Sequence, residues 1–137
     1  MQYWLLKTEP DAYGWDEHVG KGAKGDAWTG VRNFTARRHL QSMKTGDRAF
    51  FYHTGDEKQV VGIVEVIREA YTDPTDETGK FVCVDVKAVA PLAKPVTLAA
   101  IKGNRELADM MLVQQPRLSV QPVTPAQWRT VCQMGGI

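Results

Sequence analysis

The residues best suited to chemistry in this chain lie between Trp28 and His53, and their types fit recognition rather than bond making. Trp28-Thr29-Gly30-Val31-Arg32-Asn33 runs into Phe34-Thr35-Ala36-Arg37-Arg38-His39-Leu40 and, after a Lys44-Thr45-Gly46-Asp47 turn, into Phe50-Phe51-Tyr52-His53. Flat rings hold bases by stacking, an amide reads their edges, and arginines hold phosphates. The combination points to a nucleobase pocket with a flank that binds the nucleic-acid backbone. No His, Cys and carboxylate set has a metal-ligand spacing, and no nucleophile stands beside an evident base, so neither a metal nor another cofactor is expected.

Charge follows the same division. The net charge is only +1, yet Arg32, Arg37, Arg38, Lys44 and Arg48 crowd one stretch against the single acid Asp47, while Asp73, Asp76 and Glu77 cluster later. Such asymmetry attracts a polyanion even when the chain as a whole is nearly neutral. Arg32, Arg37, Arg38 and Lys44 are the candidate backbone-binding residues; a solvated helix face is the plainer alternative. Trp4 and Trp128 read as core, and His18 and His39 as surface residues. His53, at a strand end, fits a satisfied structural histidine as well as a base contact. Glu65 is expected to pair with Arg68 or Lys87.

These residues need a scaffold to position them. A chain of 137 residues with 43% hydrophobic content suits one domain spanning residues 1–137 that buries its core without disulfide or metal staples. No apolar run approaches the roughly 18 residues of a membrane span. The start, Met1-Gln2-Tyr3-Trp4-Leu5-Leu6, is broken at once by Lys7, Glu9 and Asp11, unlike a signal peptide. A cytoplasmic monomer is the expectation. Cys83 and Cys132, the only cysteines, read as reduced packing residues.

Tyr3 to Thr8 alternates as a strand, and Asn33 is placed to cap a helix reaching about Met43. Arg48 to Thr54, Gln59 to Glu69 and Lys80 to Ala90 are the clearest strands, the first two joined by Gly55-Asp56-Glu57-Lys58. In the middle one, Val60, Val64 and Val66 oppose Val61, Ile63 and Ile67, the pattern of a strand covered on both faces. Val82, Val84, Val86 and Ala88 form the inner face of the next. Thr97 caps a short helix through Ile101, and Arg105 to Met110 suggests a further turn or two. Thr124-Pro125-Ala126-Gln127 announces a last helix through Gln133. The class is α+β, a small mixed barrel with short helices at its rim.

Read together, Trp4-Leu5-Leu6-Lys7-Thr8-Glu9-Pro10, Trp28-Thr29-Gly30-Val31-Arg32-Asn33, Phe51-Tyr52-His53, Val61-Gly62-Ile63-Val64-Glu65-Val66 and Arg117-Leu118-Ser119-Val120-Gln121-Pro122-Val123 resemble the EVE domain, in order and over nearly the whole chain. The resemblance implies a PUA-like mixed β-barrel of about five to six strands with flanking short helices, and kinship with YTH domains, which grip a methylated adenine in an aromatic cage. It also implies DNA or RNA carrying a modified base, methylated or hydroxymethylated, as partner.

Carried onto this sequence, the resemblance puts Trp28 and Tyr52 as walls around a flipped base. Lys7 and Thr8 stand at the mouth with His53 nearby, Asn33 reads an edge, and Arg117, Leu118 and Ser119 close the far side. Gly62, a glycine within a bulky strand, suggests close approach of a ligand or backbone and is a candidate pocket floor. Thr8 stands where serine is common, Phe34 where tyrosine is, and Gln114 where many members have arginine. PUA-like folds also host the ASCH hydrolases, so a small hydrolase or nuclease using Lys7, Glu9 and Tyr52 is the competing reading.

Overall fold

The computed structural model describes residues 1–137. Six strands form one mixed sheet: β1 (Tyr3–Thr8), β2 (Asp26–Ala27), β3 (Arg48–His53), β4 (Gln59–Thr72), β5 (Val82–Thr97) and β6 (Val120–Val123). Their spatial order is β2-β5-β4-β3-β1-β6, with β1 and β3 parallel and the other pairings antiparallel. The α+β class and strand number match expectation. The sheet is not closed, because β2 and β6 lie at opposite ends of the hydrogen-bonded order. The two-residue β2 and four-residue β6 are too short to seal a barrel.

The helices are α1 (Trp15–Val19), α2 (Phe34–Ser42), α3 (Leu98–Lys102), α4 (Met111–Gln114) and α5 (Pro125–Met134). Each clear cap does what its residue type allows: Asn33 Oδ1 accepts from Ala36 N at 2.9 Å, and Thr124 accepts from Gln127 N while Gln127 Oε1 accepts from Thr124 N. The Arg105 to Met110 expectation becomes a 3-10 turn over Arg105–Leu107. No helix is long and apolar enough to cross a membrane. The sequence reading missed α1, β2, α4 and β6, all shorter than the span over which periodicity accumulates.

Alternation along the strands divides the core. On one face Trp4, Leu6, Phe51, Val64 and Val86 pack with Trp15 of α1, Leu40 of α2 and the loop residues Trp28 and Val31. On the other, Leu5, Phe50, Tyr52, Val60 and Val96 pack with Ile101, Trp128 and Val131. The middle strand departs from strict alternation. The β3–β4 pairing slips so that Phe51 faces Gly62 but Tyr52 faces Val60, and this bulge moves Val60 to the face opposite Val64 and Val66.

Candidate nucleic-acid interface

The site begins with the loop that carries Trp28. Gly25 sits at φ +63°, and an ideal Cβ there would lie 2.2 Å from Val86 O, so only glycine lets the chain close onto β5. Trp28 N then donates to Val84 O at 2.7 Å. Farther along, Asp73, fully buried, gathers the turn: Gly30 N donates to its Oδ2 at 2.9 Å and Arg32 Nη1 to the same oxygen at 3.0 Å. Thr75 N and Oγ1 each donate to Oδ1 at 2.7 Å. Burial alone would raise the Asp73 pKa, but the bonds from Thr75, Gly30 and Arg32 outweigh it and hold the carboxyl below its usual range.

Beside that loop lies a cavity of about 210 Å³ lined by Lys7, Thr8, Tyr13, Asp26, Ala27, Trp28 and Thr29. Trp28 is 7% exposed, with Phe51, Tyr13 and His18 edge-on to it at centroid distances of 5.4, 6.1 and 6.4 Å. The indole is therefore both core and cavity wall. Thr8 Oγ1 donates to Tyr13 O at 2.8 Å and steadies the segment that brings Tyr13 in. Burial and the adjacent Asp26 carboxylate push the Tyr13 phenol above its usual range, so it keeps its proton. Lys7 Nζ donates to Pro116 O at 2.6 Å, and half-burial lowers the Lys7 pKa.

That lysine contact joins the cavity to a neighbouring groove of about 360 Å³, lined by Asn33, Thr35, His39, Met111, Gln115, Arg117 and Leu118. Asn33 lies here rather than beside Trp28. With Oδ1 occupied by the α2 cap, its amide NH2 is the part open to a ligand. Arg117 is exposed and Leu118 half-buried. Ser119 contributes its carbonyl, which accepts from Lys7 N at 3.0 Å; its side chain lines neither space.

Several other expectations change on the same geometry. Tyr52 is 3% exposed and belongs to the opposite core, because strand alternation turns it away from Phe51 and Trp28; Tyr13 is the aromatic that shares the cavity with Trp28. Gly62 does permit close approach, but by Trp15: an ideal Cβ would lie 2.4 Å from Trp15 Cη2. It is no pocket floor. His53 is satisfied at both nitrogens, Nε2 accepting from Trp15 N at 3.1 Å and Nδ1 lying 2.8 Å from Glu57 Oε1, which leaves nothing for a base.

His18 is fully buried, not a surface residue; Nδ1 lies 2.7 Å from the Tyr13 hydroxyl and Nε2 has no partner. Burial lowers its pKa. His39 is half-buried in the groove, 5.9 Å from the Trp4 ring.

Of the basic stretch, Arg38 and Lys44 are exposed. Arg32 is held by Asp73 and by Thr75 Oγ1 at 2.9 Å, and Arg37 Nη1 donates to Lys80 O at 2.8 Å; neither is a free phosphate hand, because each is committed to pinning the β4–β5 connection. Glu65 pairs with Lys87 at 3.8 Å and with Arg48 at 3.7 Å, not with Arg68. Lys7 and Tyr52 do meet, with Lys7 Nζ 5.8 Å from the Tyr52 ring centre, but Tyr52 is buried and Glu9 Oε2 accepts from Thr54 Oγ1 at 3.1 Å. Sequence reading missed Tyr13, Asp26, Ala27 and Thr29 as lining residues, because the segments that carry them have no periodicity to read.

A family model described as EVE domain matches residues 2–134. Thymocyte nuclear protein 1 of Gallus gallus is 32% identical over 96% of this chain and 68% of its own length. The NMR structure of Rpa0253 from Rhodopseudomonas palustris superposes with a TM-score of 0.94 at 60% identity, covering 99% of this chain and 94% of that one. The crystal structure of human THYN1 protein in complex with 5-methylcytosine containing DNA has a TM-score of 0.88 at 29% identity, covering 100% and 99%.

Proposed function

The chain belongs to the EVE domain family, and on that premise we propose that it binds nucleic acid by taking one flipped, modified base into the cavity between Trp28 and Tyr13, without chemical turnover. The observation that carries the reading is the cavity itself: an indole wall, a carboxylate, two threonine hydroxyls and a lysine around a space of about 210 Å³. The bound DNA of the human relative supports the ligand class.

The chemistry of the walls matches the task. Extruding a base costs a few kcal/mol, and stacking on an aromatic surface returns roughly 1 to 3 kcal/mol. An ordinary base therefore comes out near balance. A buried methyl group adds about 0.8 kcal/mol, and rejection of unmodified bases adds to the difference. Asp26 accepts from a base amino group, while the hydroxyls of Thr8 and Thr29 and the Lys7 ammonium supply further edge contacts. Arg117 beside the groove and the exposed Arg38 and Lys44 receive phosphates, which position the strand without reading it.

The test is anisotropy titration of labelled oligonucleotides carrying cytosine, 5-methylcytosine, 5-hydroxymethylcytosine, adenine or N6-methyladenine, each as single-stranded and duplex DNA and as RNA. At least one modified form should bind more tightly than its parent base, and the oligonucleotide should be recovered unchanged. Equal binding of every pair, or a product formed in proportion to protein, would overturn the proposal.

A further inference from the structure

The base cavity does not account for Phe34. It stands at the first position of α2, 57% exposed, and is the only aromatic among the exposed large apolar side chains. Its ring stacks on Phe81 at 5.0 Å and 30°. The Arg37 guanidinium lies 4.8 Å from the Phe34 ring centre and 6.0 Å from that of Phe81, and Arg32 lies 5.6 Å from Phe81. Both guanidiniums are held in place, Arg32 by Asp73 and Arg37 by Lys80 O. Pinning the β4–β5 connection to α2 explains why the two rings touch. It does not explain why more than half of Phe34 is left to solvent.

We propose that Phe34, backed by Phe81 and flanked by Arg32 and Arg37, is a second stacking platform for the nucleotide adjoining the base in the cavity. The inference rests on the binding reading above. Asn33 and Thr35, the chain neighbours of Phe34, both line the groove next to the cavity, so a strand leaving the cavity along the groove passes this ring. An open aromatic face held between two fixed guanidiniums matches a base, and stacking of this kind tolerates any base because every base has a π face. The platform adds affinity for a strand and leaves the choice of modification to the cavity.

The test uses the full chain and three single-stranded DNA probes: one with a central 5-methylcytosine, the same strand unmodified, and the modified strand with abasic sites on both sides of the central base. Phe34→Leu keeps an apolar contact to Phe81 but removes the π surface. It should weaken the first two probes by the same factor, about 5- to 150-fold, and Phe34→Tyr should restore both. Wild-type protein should bind the abasic-flanked probe correspondingly less well than the intact modified strand, a comparison that needs no variant to fold, and Phe34→Leu should cause no further loss there. Unchanged binding of Phe34→Leu to the intact probes, equal wild-type affinity for intact and abasic-flanked strands, or no binding of any probe would overturn the platform. Preference for 5-methylcytosine reads the cavity alone: if it is absent while the Phe34 effects persist, the cavity reading falls and the platform stands.

Discussion

Replacing Trp28 separates the two roles that the structure gives one side chain. With 7% of its surface exposed and Phe51, Tyr13 and His18 against it, Trp28→Ala should cost about 3 to 5 kcal/mol of stability. A domain of this size has about 5 to 15 kcal/mol in all, so the variant should fold but melt roughly 6 to 20 °C lower. If the indole also stacks on a base, the same change removes about 1 to 3 kcal/mol of binding, a 5- to 150-fold loss. Trp28→Phe should lose less of both.

Phe50→Leu is the control. Phe50 is fully buried on the opposite face, stacked on Trp128 at 3.9 Å, so its truncation should lower the melting temperature while leaving affinity intact. Circular dichroism melts fix the temperature at which every variant is folded, and anisotropy with a 5-methylcytosine strand at that temperature gives the affinity. Folded Trp28→Ala binding as tightly as wild type would refute the stacking role, and an equal loss in Phe50→Leu would show that affinity merely follows stability.

Gly62→Ala should force its new methyl into Trp15, costing about 1 to 3 kcal/mol, and Trp15→Leu should relieve most of that cost in a double-mutant melt; additive losses would refute the contact. Arg38→Gln and Arg117→Gln should each flatten the logarithmic salt dependence of binding by about 0.7 to 0.9, whereas Arg32→Gln, whose charge is committed to Asp73, should lower stability and leave the slope unchanged. Because burial holds the folded-state pKa of His18 below its ordinary value, the unfolded chain takes up the proton first. Stability should therefore be full above about pH 6.5 and decline as pH falls through the folded pKa. His39, lowered by burial and then by Arg38, acts in the same direction. His18→Gln should lose less melting temperature than wild type between about pH 7.5 and 5, and parallel declines would show that His18 does not contribute.

How much was legible depended on length and on locality. Asn33 and Thr124 were readable as caps because a cap is a bond between neighbours in sequence, and Arg48–His53 was readable as a strand because β-rich residues cluster there. Trp28 stood out by its company of glycine, arginine and amide; of that company the amide of Asn33 lines the groove, while Gly30 and Arg32 are bound to Asp73. The partner of Trp28 was not readable. Tyr52 is adjacent to Phe51 in sequence, yet the pleat sends the two to opposite cores, and the ring that reaches Trp28 is Tyr13, brought by a loop with no periodicity of its own.

Tertiary structure also assigned the charges. In sequence, Arg32, Arg37, Arg38 and Lys44 form one basic run. In space, Asp73 and Lys80 O, more than 40 residues away along the chain, take two of them and leave the other two to solvent. Gly62 shows the same limit: a glycine in a strand signals close approach, but only the fold reveals that Trp15 makes it. Residue type and local spacing set which groups are capable of recognising a base and which segments form strands and helices. Which groups meet is decided by contacts distant in sequence, because burial and strand pairing orient each side chain after the local elements exist.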